Sequence, residues 1–115
     1  MIGKSPPRLE AADKATGRAR YVDDVRLPGM LHAALVTSPH AHALIKSYSI
    51  EKAKAVPGVK AIVTGADLPG ARSGGIIKDE LMVARGKVRY VGEPVAAVAA
   101  TDAETAARAA AAIEV

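Results

Sequence analysis

A run of alanines behind a helix-start signal sets the terms on which this chain can fold. Thr101-Asp102-Ala103-Glu104 has the spacing of a capping box, in which a hydroxyl and a carboxylate satisfy each other's orphan amides, and Ala-rich sequence follows to about Ile113. Ala103, Ala106, Ala107 and Ala110 recur at helical spacing while Arg108 lies off that stripe, so a methyl face is expected to turn inward and Arg108 to meet water. Such a face buries well only if another backbone comes close, and strands of Val and Ile lying under it would do so. The chain has no Phe, Trp or Cys to fill a wider gap.

With 115 residues the chain is the size of one domain and one modest core. The missing cysteine excludes a disulfide, a thiolate zinc site, an iron–sulfur cluster of its own and a cysteine nucleophile. The first residues have no apolar core of a secretion signal, and no stretch approaches the ~18 apolar residues of a membrane span, so the expected location is cytoplasmic and no membrane partner is expected. Net charge is +4, with Lys and Arg scattered among Asp and Glu and only 3% aromatic residues, so a basic stripe interleaved with stacking rings is not evident and no nucleic-acid partner is expected.

Residues 1–10 are Pro-rich and polar and read as an extended arm before a domain over 11–115. Strands are expected over Arg18–Val25, Met30–Val36, Ala43–Ser47, Val59–Val63, Lys87–Val91 and Val95–Ala99, the last two joined as a hairpin through Gly92-Glu93-Pro94. Ser49 stands as the N-cap of a short helix ending at Val56 before Pro57-Gly58. Between Gly65 and Lys78 four glycines and a proline indicate a surface loop with at most one helical turn near Ala66-Asp67-Leu68. The fold class is α+β: a small mixed sheet of five or six strands with two packed helices, near 50–56 and 102–112. An apolar, β-compatible pattern restarts at Ile113-Glu114-Val115, so a longer subunit is expected, and with it an unpaired strand edge through which the isolated chain self-associates.

No catalytic constellation emerges. His40 and His42, two apart, would share one face of a strand, but a third metal ligand is missing nearby. Asp23-Asp24 would point apart on a strand and suits a solvated turn or an ion pair with Arg20 or Arg26. Ser38 lacks the geometry of a nucleophile with His40 as its base, and Gly65–Gly70 and Ser73-Gly74-Gly75 match neither the dinucleotide fingerprint nor the phosphate loop.

The residues themselves resemble a known family. Lys14-Ala15-Thr16-Gly17-Arg18-Ala19-Arg20-Tyr21-Val22-Asp23-Asp24, then Leu27-Pro28-Gly29-Met30-Leu31, then Ser38-Pro39-His40-Ala41-His42-Ala43 and Ile45 are similar, in order and spacing, to the opening of the molybdenum-cofactor (large) subunit of xanthine dehydrogenase and aldehyde oxidase type hydroxylases. The likeness continues through Pro57-Gly58-Val59, Val63-Thr64, Asp67-Leu68 and, most specifically, Lys87-Val88-Arg89-Tyr90-Val91-Gly92-Glu93-Pro94-Val95-Ala96-Ala97-Val98. Leu44 and Glu93 depart from it, standing where the family more often carries Arg and Gln.

The resemblance implies an α/β hammerhead domain of an oxidoreductase that uses molybdopterin-bound molybdenum and iron–sulfur clusters, with or without FAD. It implies that cofactor loops and the catalytic carboxylate belong to other parts, so no catalytic, cofactor-binding or metal residue is carried over to this chain. Its partners would be the molybdenum-cofactor domain of the same subunit and an iron–sulfur domain or subunit. Ser38, Pro39, His40, Gly92, Glu93 and Pro94 are the candidate interface turns, because contacts are usually placed on loops of a rigid sheet. The alternative is an independent small nucleotide- or nucleic-acid-binding module, which a stop codon after Val115 would favour.

Overall fold

An uncharged run of Val and Ala, Pro94–Ala100, forms the central strand β7, flanked on both edges by antiparallel partners. These are β1 (His32–Thr37) and β3 (Val59–Thr64), giving a three-stranded sheet in the order β1-β7-β3. The computed structural model describes residues 2–70 and 72–115; Met1 of the arm and Ala71 of the glycine-rich loop lie outside the described residues. Cross-strand partners share a face, so Val98 sits with Ala34 and Ile62, and Ala97 with Leu35 and Val63 on the other side. The first set is covered by the helix α3 (Ala103–Ala111), which lies across β1 and β7. A short helix α2 (Glu51–Lys54) packs Ala53 beside it.

The core is what the alanine run demands. Ala53, Ala96, Val98, Ala109, Ala110 and Ile113 are buried together, with Val98 the largest side chain wholly out of water. Two short ladders sit outside the sheet: β2 (Ala43–Leu44) with β6 (Lys87–Val88), and β4 (Arg72–Ser73) with β5 (Glu80–Leu81). The β2–β6 ladder covers a second cluster of Ala84, Val88 and Val95, against which Ala43, Ile45 and Tyr48 pack.

Several expectations change. All described pairings are antiparallel and divided among three sheets, in place of one mixed sheet. The expected strand Arg18–Val25 is a 3-10 turn, Val22–Asp24, because the Asp24 carboxylate accepts the Tyr21 amide at 2.9 Å and closes the chain on itself. The strand expected over Ala43–Ser47 ends at Leu44. Ser49 is not an N-cap; Ile50 is, and Ser49 exchanges backbone hydrogen bonds with Glu114 instead. The loop at 65–78 carries β4, which the glycines had masked.

The cap of α3 lies one residue later than the Thr101–Glu104 spacing indicates. Asp102 is the N-cap, and its carboxylate accepts both the amide and the hydroxyl of Thr105, each at 2.8 Å. These bonds, the amide first, hold the Asp102 carboxyl below its ordinary pKa. The inward face is Thr105, Ala106, Ala109 and Ala110, leaving Ala103 and Ala107 in solvent with Arg108.

No residue from Ile2 to Thr37 is buried, although a small helix, α1 (Ala11–Ala15), forms within that stretch. The radius of gyration of 19.7 Å exceeds the roughly 13–14 Å usual for this length, in keeping with a first third of the chain in which no described residue is buried.

Candidate interface turns

Ser38 follows β1 directly, and Pro39, having no amide to donate, ends the strand there. The Ser38 amide donates to the Glu93 carbonyl at 2.9 Å, and the Gly92 amide donates to the Ser38 carbonyl at 2.8 Å. Two turns far apart in sequence are thereby clasped together. Ser38 Oγ accepts the His40 amide at 3.0 Å and donates to the His40 carbonyl at 3.1 Å, closing the first turn. Gly92 occupies φ 91°, a conformation that favours glycine, and nothing lies within 4 Å of where a Cβ would stand, so the backbone and not the space selects it.

Glu93 fixes the second turn. Its carboxylate accepts the Arg89 amide, and its other oxygen lies 3.5 Å from the Arg89 guanidinium, with only 5% of the side chain exposed. These bonds explain why Lys87–Val91 and Val95–Ala99 do not form the expected hairpin. The reversal is held by a side chain and by Ser38, so β6 is free to pair with β2 while β7 pairs with β1 and β3. Charges four residues apart around Gly92-Glu93-Pro94 were the available signal. A Gln at this position would keep the amide contact and lose the ion pair.

The six candidate residues therefore come together, in two different roles. Pro39, His40 and Gly92 are exposed; Ser38 and Glu93 are buried and hold the turns; Pro94 is half-buried as the first residue of β7. Beside the first turn opens a groove of about 580 Å³ with Val36, Val88, Val95 and Ile113 among its walls.

His40 and His42 lie in an irregular exposed segment, not on a strand, and no cluster of three or more His, Cys, Asp or Glu that could hold a metal occurs among the described residues. Asp23 and Asp24 make no ion pair with Arg20 or Arg26; Arg26 donates instead to the Asp23 and Val25 carbonyls. Tyr48, whose importance to packing the sequence does not announce, sends its hydroxyl to the Ala84 carbonyl at 3.3 Å; burial, and secondarily the Asp67 carboxylate, push its pKa up. These are structural contacts. The chain has no Cys, so it cannot supply the thiolates that an iron–sulfur cluster needs.

Residues 16–115 match the family model described as "Aldehyde oxidase and xanthine dehydrogenase, a/b hammerhead domain". The chain belongs to that family. The hammerhead chain is 40% identical to the xanthine dehydrogenase/oxidase of Felis catus over all of its own length and 9% of that protein. It is 39% identical to the large subunit of the nicotine 6-hydroxylase of Paenarthrobacter nicotinovorans, over 87% of itself and 13% of that relative. Among solved structures, the Cu,Mo-CO dehydrogenase in its carbon monoxide reduced state superposes with a TM-score of 0.92 at 41% identity, covering 97% of this chain and 15% of that one. Quinoline 2-oxidoreductase from Pseudomonas putida 86 superposes at 0.89 and 38% identity, over 98% and 16%. The hammerhead chain thus spans about a sixth or less of these relatives. They carry oxidoreductase names, and the match extends over the sheet, α3 and both clasped turns.

Proposed function

We propose that this chain is the structural and assembly domain of a molybdenum-dependent oxidoreductase, bridging a molybdenum-cofactor domain and an iron–sulfur part without catalytic residues of its own. The observation that carries the reading is the clasp: Ser38 and Glu93 are spent on holding two turns rigid, and Pro39, His40 and Gly92 are thereby presented on a fixed frame. Rigid turns beside an apolar groove suit a contact surface. The family match supports this over an independent nucleotide- or nucleic-acid-binding module. The whole enzyme would hold molybdopterin-bound molybdenum and iron–sulfur clusters, with or without FAD, in its other parts and would work in the cytoplasm. No described helix is long and apolar enough to cross a membrane.

Elemental analysis and an absorption spectrum of the purified chain test the cofactor side. Less than a tenth of an equivalent of molybdenum or iron, roughly, and no flavin-like or iron-like band are expected; stoichiometric metal would contradict the reading.

The same reading expects the isolated chain to self-associate. Both outer strands, β1 and β3, present edges, and the sheet face opposite α3 displays Ala33, Ala97, Ala99 and a Leu35 that is 58% exposed. Sedimentation should give a mass that rises with concentration and returns to that of a monomer in Leu35→Lys; a monomer at every concentration would count against it.

A further inference from the structure

The net charge of this chain has an address. From Ser38 to Ser49 and from Leu81 to Gly92 there is no Asp or Glu, and these two segments contain β2, β6 and the cations Lys46, Arg85, Lys87 and Arg89. The formal charge is +4, from sixteen Lys and Arg against twelve acids, so with those four set aside the rest of the chain is balanced. The ladder orders them. Ala43 and Val88 face the second core cluster, so Leu44 on β2 and Lys87 on β6, directly across from each other, are directed outward, and Lys46 and Arg89, just beyond the two strands, are exposed. Among the described residues Lys46, Arg85 and Lys87 make no ion pair, and Arg89 meets only the buried Glu93. Exposed apolar groups accompany them in the same segments: Leu44, on the ladder, is 74% exposed, and Tyr90 and Val91, in the turn that follows β6, are 56% and 63% exposed.

We propose that the outer face of the β2–β6 ladder docks a carboxylate-rich protein surface that also supplies an apolar side chain to cover Leu44. The proposal rests on the assembly reading above and gives it a chemistry. Cations around exposed Leu, Tyr and Val form the pattern of an interface whose rim steers and whose centre buries. A single-sign rim repels basic surfaces and draws acidic ones at long range, and the apolar centre distinguishes a protein partner from a bare polyanion. The ladder adjoins the clasped turns, since Arg89 is itself held by Glu93.

The test uses the 115-residue chain with three probes: a twelve-residue peptide alternating Glu and Leu, the same peptide with Lys for Glu, and a twelve-base-pair DNA duplex, each titrated and followed by backbone amide NMR. The acidic peptide is expected to shift Leu44, Lys46, Lys87 and Tyr90, to bind at least about tenfold more tightly than the basic one, and to weaken with added salt. Lys46→Glu with Lys87→Glu should lower its affinity about tenfold or more, and Leu44→Ala by about threefold or more, with the fold intact by circular dichroism. Shifts centred elsewhere, no preference between the peptides, or DNA binding as tight as the acidic peptide and indifferent to Leu44→Ala would overturn the proposal. That failure would leave the clasped turns as a contact surface standing, because their test is protection in the assembled enzyme and not charge.

Discussion

Ala109→Leu is expected to lower the stability of the chain by about 2–3 kcal/mol, whereas Ala107→Leu leaves it within about 0.5 kcal/mol of the parent. Ala109 is wholly buried against the sheet and joins Ala53, Ala96 and Val98 in one cluster, so three extra carbons there have no space without moving α3 away from β1 and β7. Ala107 is exposed on the same helix, where Leu propagates helix nearly as well as Ala. The pair separates packing from propensity. Thermal unfolding should show a fall of roughly 10 °C or more for the first variant and little for the second. Equal losses in the two would mean that α3 does not seat on the face described.

Gly65→Ala is the second large effect, expected at about 3 kcal/mol of destabilisation or a failure to accumulate folded chain. A Cβ at residue 65 would stand 2.1 Å from the Ala84 carbonyl oxygen and 2.8 Å from its carbon, so the obstruction is backbone and cannot rotate aside. This contact lets the segment before β6 lie against the end of β3, where the Ala84 amide also donates to the Pro94 carbonyl at 2.7 Å. Gly75→Ala is the control: nothing lies within 4 Å and its φ is not positive, so a change near zero is expected. Urea denaturation of the two variants measures the difference, and a stable Gly65→Ala would show that the second core cluster does not close as described.

The parts of this fold that are legible in the sequence are those decided by local chemistry. Met30–Val36 and Val59–Val63 fall close to β1 and β3 because apolar residues recur there, Leu31, Leu35 and Val36 in the first and Val59, Ile62 and Val63 in the second, and prolines or glycines close them. Tyr21-Val22 looks like strand for the same reason, but no neighbouring strand pairs with it, and a single Asp24 carboxylate is enough to curl it. The expected hairpin is absent for a nonlocal cause, since Ser38, more than fifty residues earlier, takes the hydrogen bonds of Gly92 and Glu93. In α3 Ala occupies both the expected stripe and all but Thr105 of the observed one, so composition does not say which stripe faces the sheet; packing on β1 and β7 decides it. The six candidate residues are legible as turns, while the division between the buried pair, Ser38 and Glu93, and the exposed Pro39, His40 and Gly92 needs the packing.

Hydroxyl-radical footprinting of residues 38–40, compared between the isolated chain and the same residues in the assembled enzyme, tests the assembly role most directly. In the isolated chain Pro39 and His40 are exposed and should oxidise readily. If this turn is a contact between the domain and the rest of the enzyme, their oxidation should slow by roughly fivefold or more on assembly, as expected for side chains moved from water into an interface. Equal rates in the two states would contradict the account, because a turn that stays in water on assembly is not where this domain joins its neighbours.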